Sequence, residues 1–134
     1  MELCKQWSLA FDDRMPIYRQ IILQFSRALV RGDIRLGDRI PSIRELSALL
    51  RVNTNTVQRV YQEMERDGMI SSKRGTGYFI TEDLVMTEKI RRDMTLDALS
   101  RFVEEMCALG LRDNDILTAL ESYMKGVEQS ESCS

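Results

Sequence analysis

The sequence predicts a mostly α-helical protein with a small β-hairpin, and three observations support this fold class. Two short helical segments separated by a tight turn lie between Ser42 and Gly68, and a Gly-rich basic hairpin follows them. Two further helical patterns follow, up to about residue 127. We therefore expect a winged helix-turn-helix domain over residues 1–81, a two-helix dimerisation unit over residues 82–127 and a disordered tail over residues 128–134.

The first helix is expected to begin at Pro16 and end at Gly32. Proline suits the first turn of a helix because its missing N–H has no partner there in any case. Glycine suits the end of a helix because it adopts the left-handed conformation without strain. Between them, apolar residues recur at helical spacing: Ile17, Ile21, Ile22, Phe25, Ala28 and Leu29.

Ser42 and Glu45 have the spacing of a capping box, which predicts the start of the second helix. Val52 and Asn53 mark the break before the third helix, and Gly68 ends that helix. The apolar stripe of the third helix consists of Val57, Val60, Tyr61 and Met64. This stripe predicts that one face packs on the core and that the opposite face meets solvent or a partner.

The remaining elements follow in order. Two strands are predicted over residues 69–73 and 77–81, because Arg74, Gly75 and Thr76 form a turn between them. A long helix is predicted from about residue 84 to Leu109, and Gly110 separates it from a last helix. The apolar residues of the last helix share one face: Ile116, Leu117, Leu120, Tyr123 and Met124.

Charge is distributed unevenly along the 134 residues. Residues 1–81 carry 13 Lys/Arg and 9 Asp/Glu, a net +4, whereas residues 82–134 carry 6 and 12, a net −6, so that the chain totals −2. This asymmetry favours a basic part that approaches nucleic acid and an acidic part that stays away from phosphates.

The composition argues against several other classes. The sequence has no histidine, and its three cysteines (Cys4, Cys107 and Cys133) are far apart, so we expect no metal, no cofactor and no disulfide framework. Cys107 is expected to be a buried helix residue. No nucleophile–base pair or phosphate loop is recognisable, so an enzyme is not expected. Without a signal peptide or a long apolar run, a cytoplasmic protein that does not enter a membrane is expected.

The third helix has the side chains of a DNA-reading helix. Asn55, Gln58 and Arg59 lie away from its apolar stripe, and asparagine and glutamine can pair with adenine edges in the major groove. Arg44 on the preceding helix is expected either to contact guanine or to clamp a phosphate. The hairpin would bring Lys73 and Arg74, with the backbone of Gly75 and Gly77, to the DNA backbone or the minor groove.

Each of these features has a simpler explanation when it stands alone. The polar residues of the third helix could be merely solvated, Arg44 could be a surface ion-pair residue, and the hairpin could be a plain turn. Their order along the chain is what favours DNA binding. A winged helix that binds a protein partner instead of DNA is the alternative, although the basic hairpin and the small polar residues of the third helix argue against it.

Four motifs resemble the winged-helix domain of GntR-family bacterial transcription regulators. They are Pro16-Ile17-Tyr18-Arg19-Gln20-Ile21, the run from Gly37 to Leu46 (GDRIPSIREL), Asn55-Thr56-Val57, and Gly75-Thr76-Gly77-Tyr78-Phe79. The resemblance covers residues 9–80. It implies DNA contacts by Arg44, Thr54, Asn55, Thr56, Gln58 and the wing around Gly75. Many relatives have arginine in place of Thr54 and Gln58, so the base preference of the wider family does not transfer.

The short C-terminal part, together with the run from Val52 to Glu65 (VNTNTVQRVYQEME), resembles the YtrA-like subfamily. The resemblance implies a helical unit that mediates dimerisation and regulated operons that often encode ABC transporters. The residues themselves also favour a homodimer, because two helices alone cannot bury so much apolar surface. The alternative is that this hairpin packs on the winged helix of its own chain. No sensor domain of ordinary size fits, and the sequence specifies no small-molecule effector. The residues expected to mediate dimerisation are Leu99, Phe102, Val103, Met106, Leu109, Leu117, Leu120 and Met124.

Overall fold

The computed structural model describes residue 7 and residues 14–130, with side chains up to residue 126. Within this part the fold class is confirmed as mostly α-helical with a small antiparallel sheet. The elements are α1 (Ile17–Arg31), β1 (Arg39–Ile40), α2 (Ile43–Leu50), α3 (Thr54–Arg66), β2 (Ile70–Lys73), β3 (Gly77–Ile80), α4 (Leu84–Ala108) and α5 (Asp113–Ser130). The predicted hairpin strands differ from β2 and β3 by one residue at their outer ends.

Within the described part of the chain the sheet has three strands in the order β1-β3-β2, and both pairings are antiparallel. Ile70 pairs with Ile80 and Lys73 with Gly77, so β2 and β3 form the predicted hairpin. The sequence did not predict β1, a two-residue strand in which Arg39 pairs with Phe79. Two residues are too few to show an alternating pattern, and the partner strand is distant in the sequence.

The core lies where α1, α2, α3 and the sheet meet. The entire predicted stripe of α3 is buried, as is the inner face of α1 with Ile21, Phe25, Ala28 and Leu29. Ile34, Ile40, Leu46 and Ile80 complete the same cluster from the loop after α1, from β1, α2 and β3. The stripe therefore fixes the rotation of α3 about its axis and determines which of its side chains face outward.

The predicted capping box at the start of α2 is present. The Glu45 N–H donates to Ser42 Oγ (3.1 Å), and the Ser42 N–H donates to Glu45 Oε1 (3.2 Å). The hydrogen bonds from the backbone and side chain of Ser42 lower the pKa of Glu45, and the positive charge of Arg39 adds a smaller effect. Because the folded pKa is lowered, the stabilising contribution of the carboxylate is complete above its ordinary pKa and is lost as the pH falls through the lowered value.

The substitution Ser42→Ala is expected to lower the free energy of unfolding by about 1 kcal/mol, since it leaves an N–H of the first turn of α2 without its acceptor. Urea unfolding of the purified protein measures this change. The matched control is Ser71→Ala, at an exposed position on β2, for which a change below about 0.5 kcal/mol is expected. An equal loss in both variants would contradict the role of the cap.

The chain divides into two compact units, Met1–Arg91 and Arg92–Ser134, and α4 runs across the division. The first unit contains the winged helix, and the second contains the rest of α4 and α5. Helix α5 continues to Ser130, into the segment expected as a tail, and residues 131–134 lie outside the described part. The predicted domain bounds stay a prediction.

The structure bears on the expectations for the cysteines and for membrane-spanning helices. Cys107 is exposed, so the expectation that it is a buried helix residue was wrong: its position on α4 is turned to solvent. Cys4 and Cys133 lie outside the described residues. Among the helices of the described part, none is both long and apolar enough to cross a membrane.

Candidate nucleic-acid interface

Helices α2 and α3 are joined by a turn whose geometry is set by backbone hydrogen bonds. Arg51 adopts the left-handed conformation (φ 56°), and its N–H donates to the carbonyl oxygen of Ser47. Asn53 caps α3, because its Oδ1 accepts from the N–H of Asn55 (2.7 Å). The side chain of Asn53 is thus engaged in a hydrogen bond within the chain, although the residue is exposed, and the side chain of Asn55 lies on the surface of the first helical turn.

The outward face of α3 carries most of the side chains predicted to read DNA. Thr54, Asn55, Gln58 and Arg59 are exposed, whereas Thr56 is half-buried. The first turn and the outward face are the parts of a helix that meet base edges when it enters the major groove. The partial burial of Thr56 follows from its position on the helix, toward the side from which the half-buried Glu63 also projects.

Tyr61 fixes α3 against the segment that carries Arg44. Its hydroxyl donates to the carbonyl oxygen of Pro41, directly before the cap of α2. Arg44 is exposed in the first turn of α2, so this hydrogen bond holds the start of α2 to the middle of α3. The Tyr61 ring also meets the Tyr78 ring of β3 edge-on, with 4.8 Å between centroids. One buried side chain therefore links α3 to α2 and to the sheet.

The hairpin of β2 and β3 forms a basic wing, defined here as residues 73–77. Thr76 closes the turn through its N–H and its hydroxyl, which both donate to the Lys73 carbonyl oxygen (2.9 and 3.1 Å). Gly75 has a φ of 78°, and a side chain there would meet no atom within 4 Å, so the backbone conformation is what favours glycine. Lys73, Arg74 and Gly75 are exposed, as the sequence predicted for a contact surface.

Arg39 is a candidate DNA-contact residue that the sequence analysis missed. It lies opposite Phe79 in the sheet, and its Nε lies 3.2 Å from the point that a Cβ of Gly77 would occupy. The absence of a side chain at Gly77 thus leaves room for this guanidinium beside the wing. No local pattern indicates the contact, because it depends on the pairing of β1 with β3.

The predicted site residues Arg44, Thr54, Asn55, Thr56, Gln58, Arg59 and those of the wing all belong to the first compact unit. Helix α3 packs on α1, α2 and β2, and Ser72 Oγ donates to Glu65 Oε2 (2.8 Å), so the helix and the wing are fixed to one framework. That these residues contact DNA stays a prediction. Among the described residues, no group of three or more His, Cys, Asp or Glu is placed to hold a metal ion.

A capped helix with an exposed polar face, held beside a basic wing, defines the winged helix-turn-helix class of DNA-binding regulators. Comparison with known proteins agrees, since residues 17–80 match the family described as "Bacterial regulatory proteins, gntR family". The chain belongs to the GntR family of DNA-binding transcription regulators, which is not a family of enzymes.

Two curated relatives from Bacillus subtilis (strain 168) indicate the subgroup. The chain is 38% identical over 116 residues to the uncharacterized HTH-type transcriptional regulator YhcF, covering 87% of this chain and 96% of YhcF. It is 43% identical over 72 residues to the HTH-type transcriptional repressor YtrA, covering 54% of this chain and 55% of YtrA. The resemblance to YhcF therefore extends through both compact units, and the one to YtrA spans about half of each chain.

A solved structure supports the same assignment. The GntR family transcriptional regulator from Listeria monocytogenes has a TM-score of 0.77 and 37% sequence identity, and the match covers 84% of this chain and 98% of that one. The predicted resemblance to GntR-family and YtrA-like regulators is thus confirmed.

Proposed function

We propose that this chain is a homodimeric repressor that binds a pseudo-palindromic operator in the cytoplasm. The observation that carries the proposal is the exposed polar face of α3, capped at Asn53 and locked to α2 by Tyr61, beside a basic wing in a GntR-family chain. A repressor role is favoured over activation because the relative YtrA is named a repressor.

In this proposal the side chains divide by role. Thr54, Asn55 and Gln58 read base edges, because short polar side chains let the helix sit deep in the major groove. Arg44, in the first turn of α2, adds a guanine contact or a phosphate clamp, and the half-buried Thr56 contributes less than its neighbours. The wing residues Lys73, Arg74, Gly75, Thr76 and Gly77 contact the DNA backbone or the minor groove.

The second compact unit supports dimerisation by its exposed apolar surface. Leu109, in the turn after α4, is 76% exposed, and Leu117 on α5 is 64% exposed. Contiguous exposed apolar patches mark protein–protein interaction sites. Leu99, Val103, Leu120 and Met124 are also exposed, and Phe102 and Met106 are half-buried. A homodimer formed through this surface would carry two copies of α3, one for each half-site of a pseudo-palindromic operator.

The regulated genes are a further part of the proposal. The YtrA-like resemblance favours an operon that encodes an ABC transporter. Transcript levels in a deletion strain test this, since derepression of a transporter operon is expected and unchanged levels would contradict it.

The deciding experiment is a selection from random-sequence duplexes on the purified chain, followed by mobility shifts of the enriched duplex and of the chain's own upstream region. A shift that resists scrambled competitor and fits two subunits per duplex is expected. Weak binding to all sequences alike, lost at modest salt, would overturn the proposal. If a partner protein were then retained on the immobilised chain, the alternative of a protein-binding winged helix would replace it.

Neutralising one wing cation, as in Lys73→Ala or Arg74→Ala, is expected to weaken binding to all duplexes alike. Each lost phosphate contact should reduce the slope of log K against log salt by about 0.9, which a salt series with fluorescence anisotropy measures. Lys125→Ala, on exposed α5, is the charge-matched control. A loss confined to the enriched duplex would show instead that the wing reads sequence.

A further inference from the structure

Arg59 is held in place by two side chains, one on each of two helices. Its guanidinium carbon lies 3.7 Å from the centroid of the Tyr18 ring on α1. Its Nε lies 3.4 Å from Oε1 of Glu63, one turn further along α3. The Arg59 side chain nevertheless stays 57% exposed. An arginine that is both oriented and accessible differs from a mobile surface arginine, because less conformational entropy is lost when it binds.

The stacking on Tyr18 determines which part of a DNA duplex the Arg59 side chain can contact. Tyr18 belongs to α1, so the stacking draws Arg59 to the edge of the α3 face that borders α1. Among the described residues, no side chain stacks on or pairs with that of Asn55 or Gln58, and both stay exposed on α3. The edge of a helix lying in the groove borders the phosphate backbone, whereas its centre faces the bases. The Nη groups of Arg59 carry the N–H donors that suit a phosphate.

We propose that Tyr18 is a positioning residue that makes Arg59 a phosphate contact, and that Glu63, which pairs with Nε of the same guanidinium, weakens this contact by offsetting its charge. The inference rests on the proposed DNA binding and adds two residues, Tyr18 and Glu63, that touch no DNA themselves. It assigns Arg59 to affinity for any duplex and leaves sequence reading to the other side chains of the interface, Asn55 and Gln58 among them.

The test measures the binding of the full chain to the enriched duplex and to a scrambled duplex of equal composition, in a salt series. Arg59→Ala and Tyr18→Leu are each expected to weaken binding to both duplexes roughly fivefold, the scale of one exposed cation–π contact. Each should also lower the salt slope by about 0.9. Tyr18→Phe keeps the ring and should bind like the wild type.

The double variant Tyr18→Leu/Arg59→Ala separates positioning from general damage. If Tyr18 acts through Arg59, the double variant binds within about twofold of Arg59→Ala, since coupled sites are not additive. Multiplied losses would overturn the inference, and so would a Tyr18→Phe variant as weak as Tyr18→Leu. A loss on the enriched duplex alone would make Arg59 a base reader and overturn it too.

Two further variants keep the inference testable if Tyr18→Leu fails to fold, since Tyr18 packs against the core. Arg59→Lys keeps the charge, so it should keep the salt slope of the wild type while Arg59→Ala lowers it, and a slope lowered equally in both variants would contradict the phosphate contact. Glu63→Gln should bind both duplexes more tightly, and unchanged binding would show that Glu63 does not weaken the contact. If the wild type binds DNA and Arg59→Ala binds equally well, this inference alone is overturned. If the wild type binds neither duplex, the proposed function is overturned as well.

Discussion

The double substitution Leu117→Glu/Leu120→Glu is expected to convert the proposed homodimer into monomers and to abolish binding to the proposed operator. These leucines are 64% and 37% exposed on α5, so carboxylates replace them without disturbing a packed core in the single chain. In a dimer they would be buried, and burying unpaired charges is strongly unfavourable. Loss of the second half-site should bring operator affinity down to the non-specific level, roughly a thousandfold or more.

Analytical ultracentrifugation measures the oligomeric state, which is compared with the 15.6 kDa mass of one chain. Mobility shifts measure the loss of operator binding. The control is Ser122→Glu, which adds a carboxylate to an exposed position of α5 outside the apolar face. A wild type that sediments as one chain would favour the alternative in which the hairpin packs on its own winged helix. A double variant that remains dimeric would remove these leucines from the interface.

The parts of the winged helix that sequence predicts well are those set by local rules. The capping box at Ser42, the stripe of α3 and the glycine turn of the wing each depend on spacings of a few residues, and the structure confirms all three. The sequence also predicted that Asn55 and Gln58 would face outward, because the stripe fixes the rotation of α3.

The parts that sequence did not reveal depend on contacts between distant residues. Strand β1, the position of Arg39 beside Gly77 and the stacking of Arg59 on Tyr18 all join separate elements. Helix periodicity placed Arg59 on the outward face of α3 but did not show which neighbour would hold it. Cys107 shows the same limit, since exposure on a helix of the second unit depends on what packs beside it.

The substitution Arg44→Ala is expected to weaken binding to the enriched duplex by about 1–3 kcal/mol and to change binding to a scrambled duplex much less. Arg44 is exposed in the first turn of α2, and the hydrogen bond from Tyr61 to Pro41 fixes that turn relative to α3. A guanidinium carried on a fixed helical turn suits the two acceptors of guanine, since its fork donates two parallel hydrogen bonds. Mobility shifts on both duplexes measure the difference, with Arg101→Ala on exposed α4 as the control.

Arg44→Lys distinguishes the two roles that Arg44 can have. Lysine keeps the positive charge but lacks the planar fork, so a guanine contact would lose specificity while binding to scrambled DNA is retained. A phosphate clamp would instead tolerate lysine, and alanine would weaken both duplexes alike and reduce the salt slope. Unchanged binding in Arg44→Ala would remove this residue from the interface, and α3 with the wing would then have to supply the specificity alone.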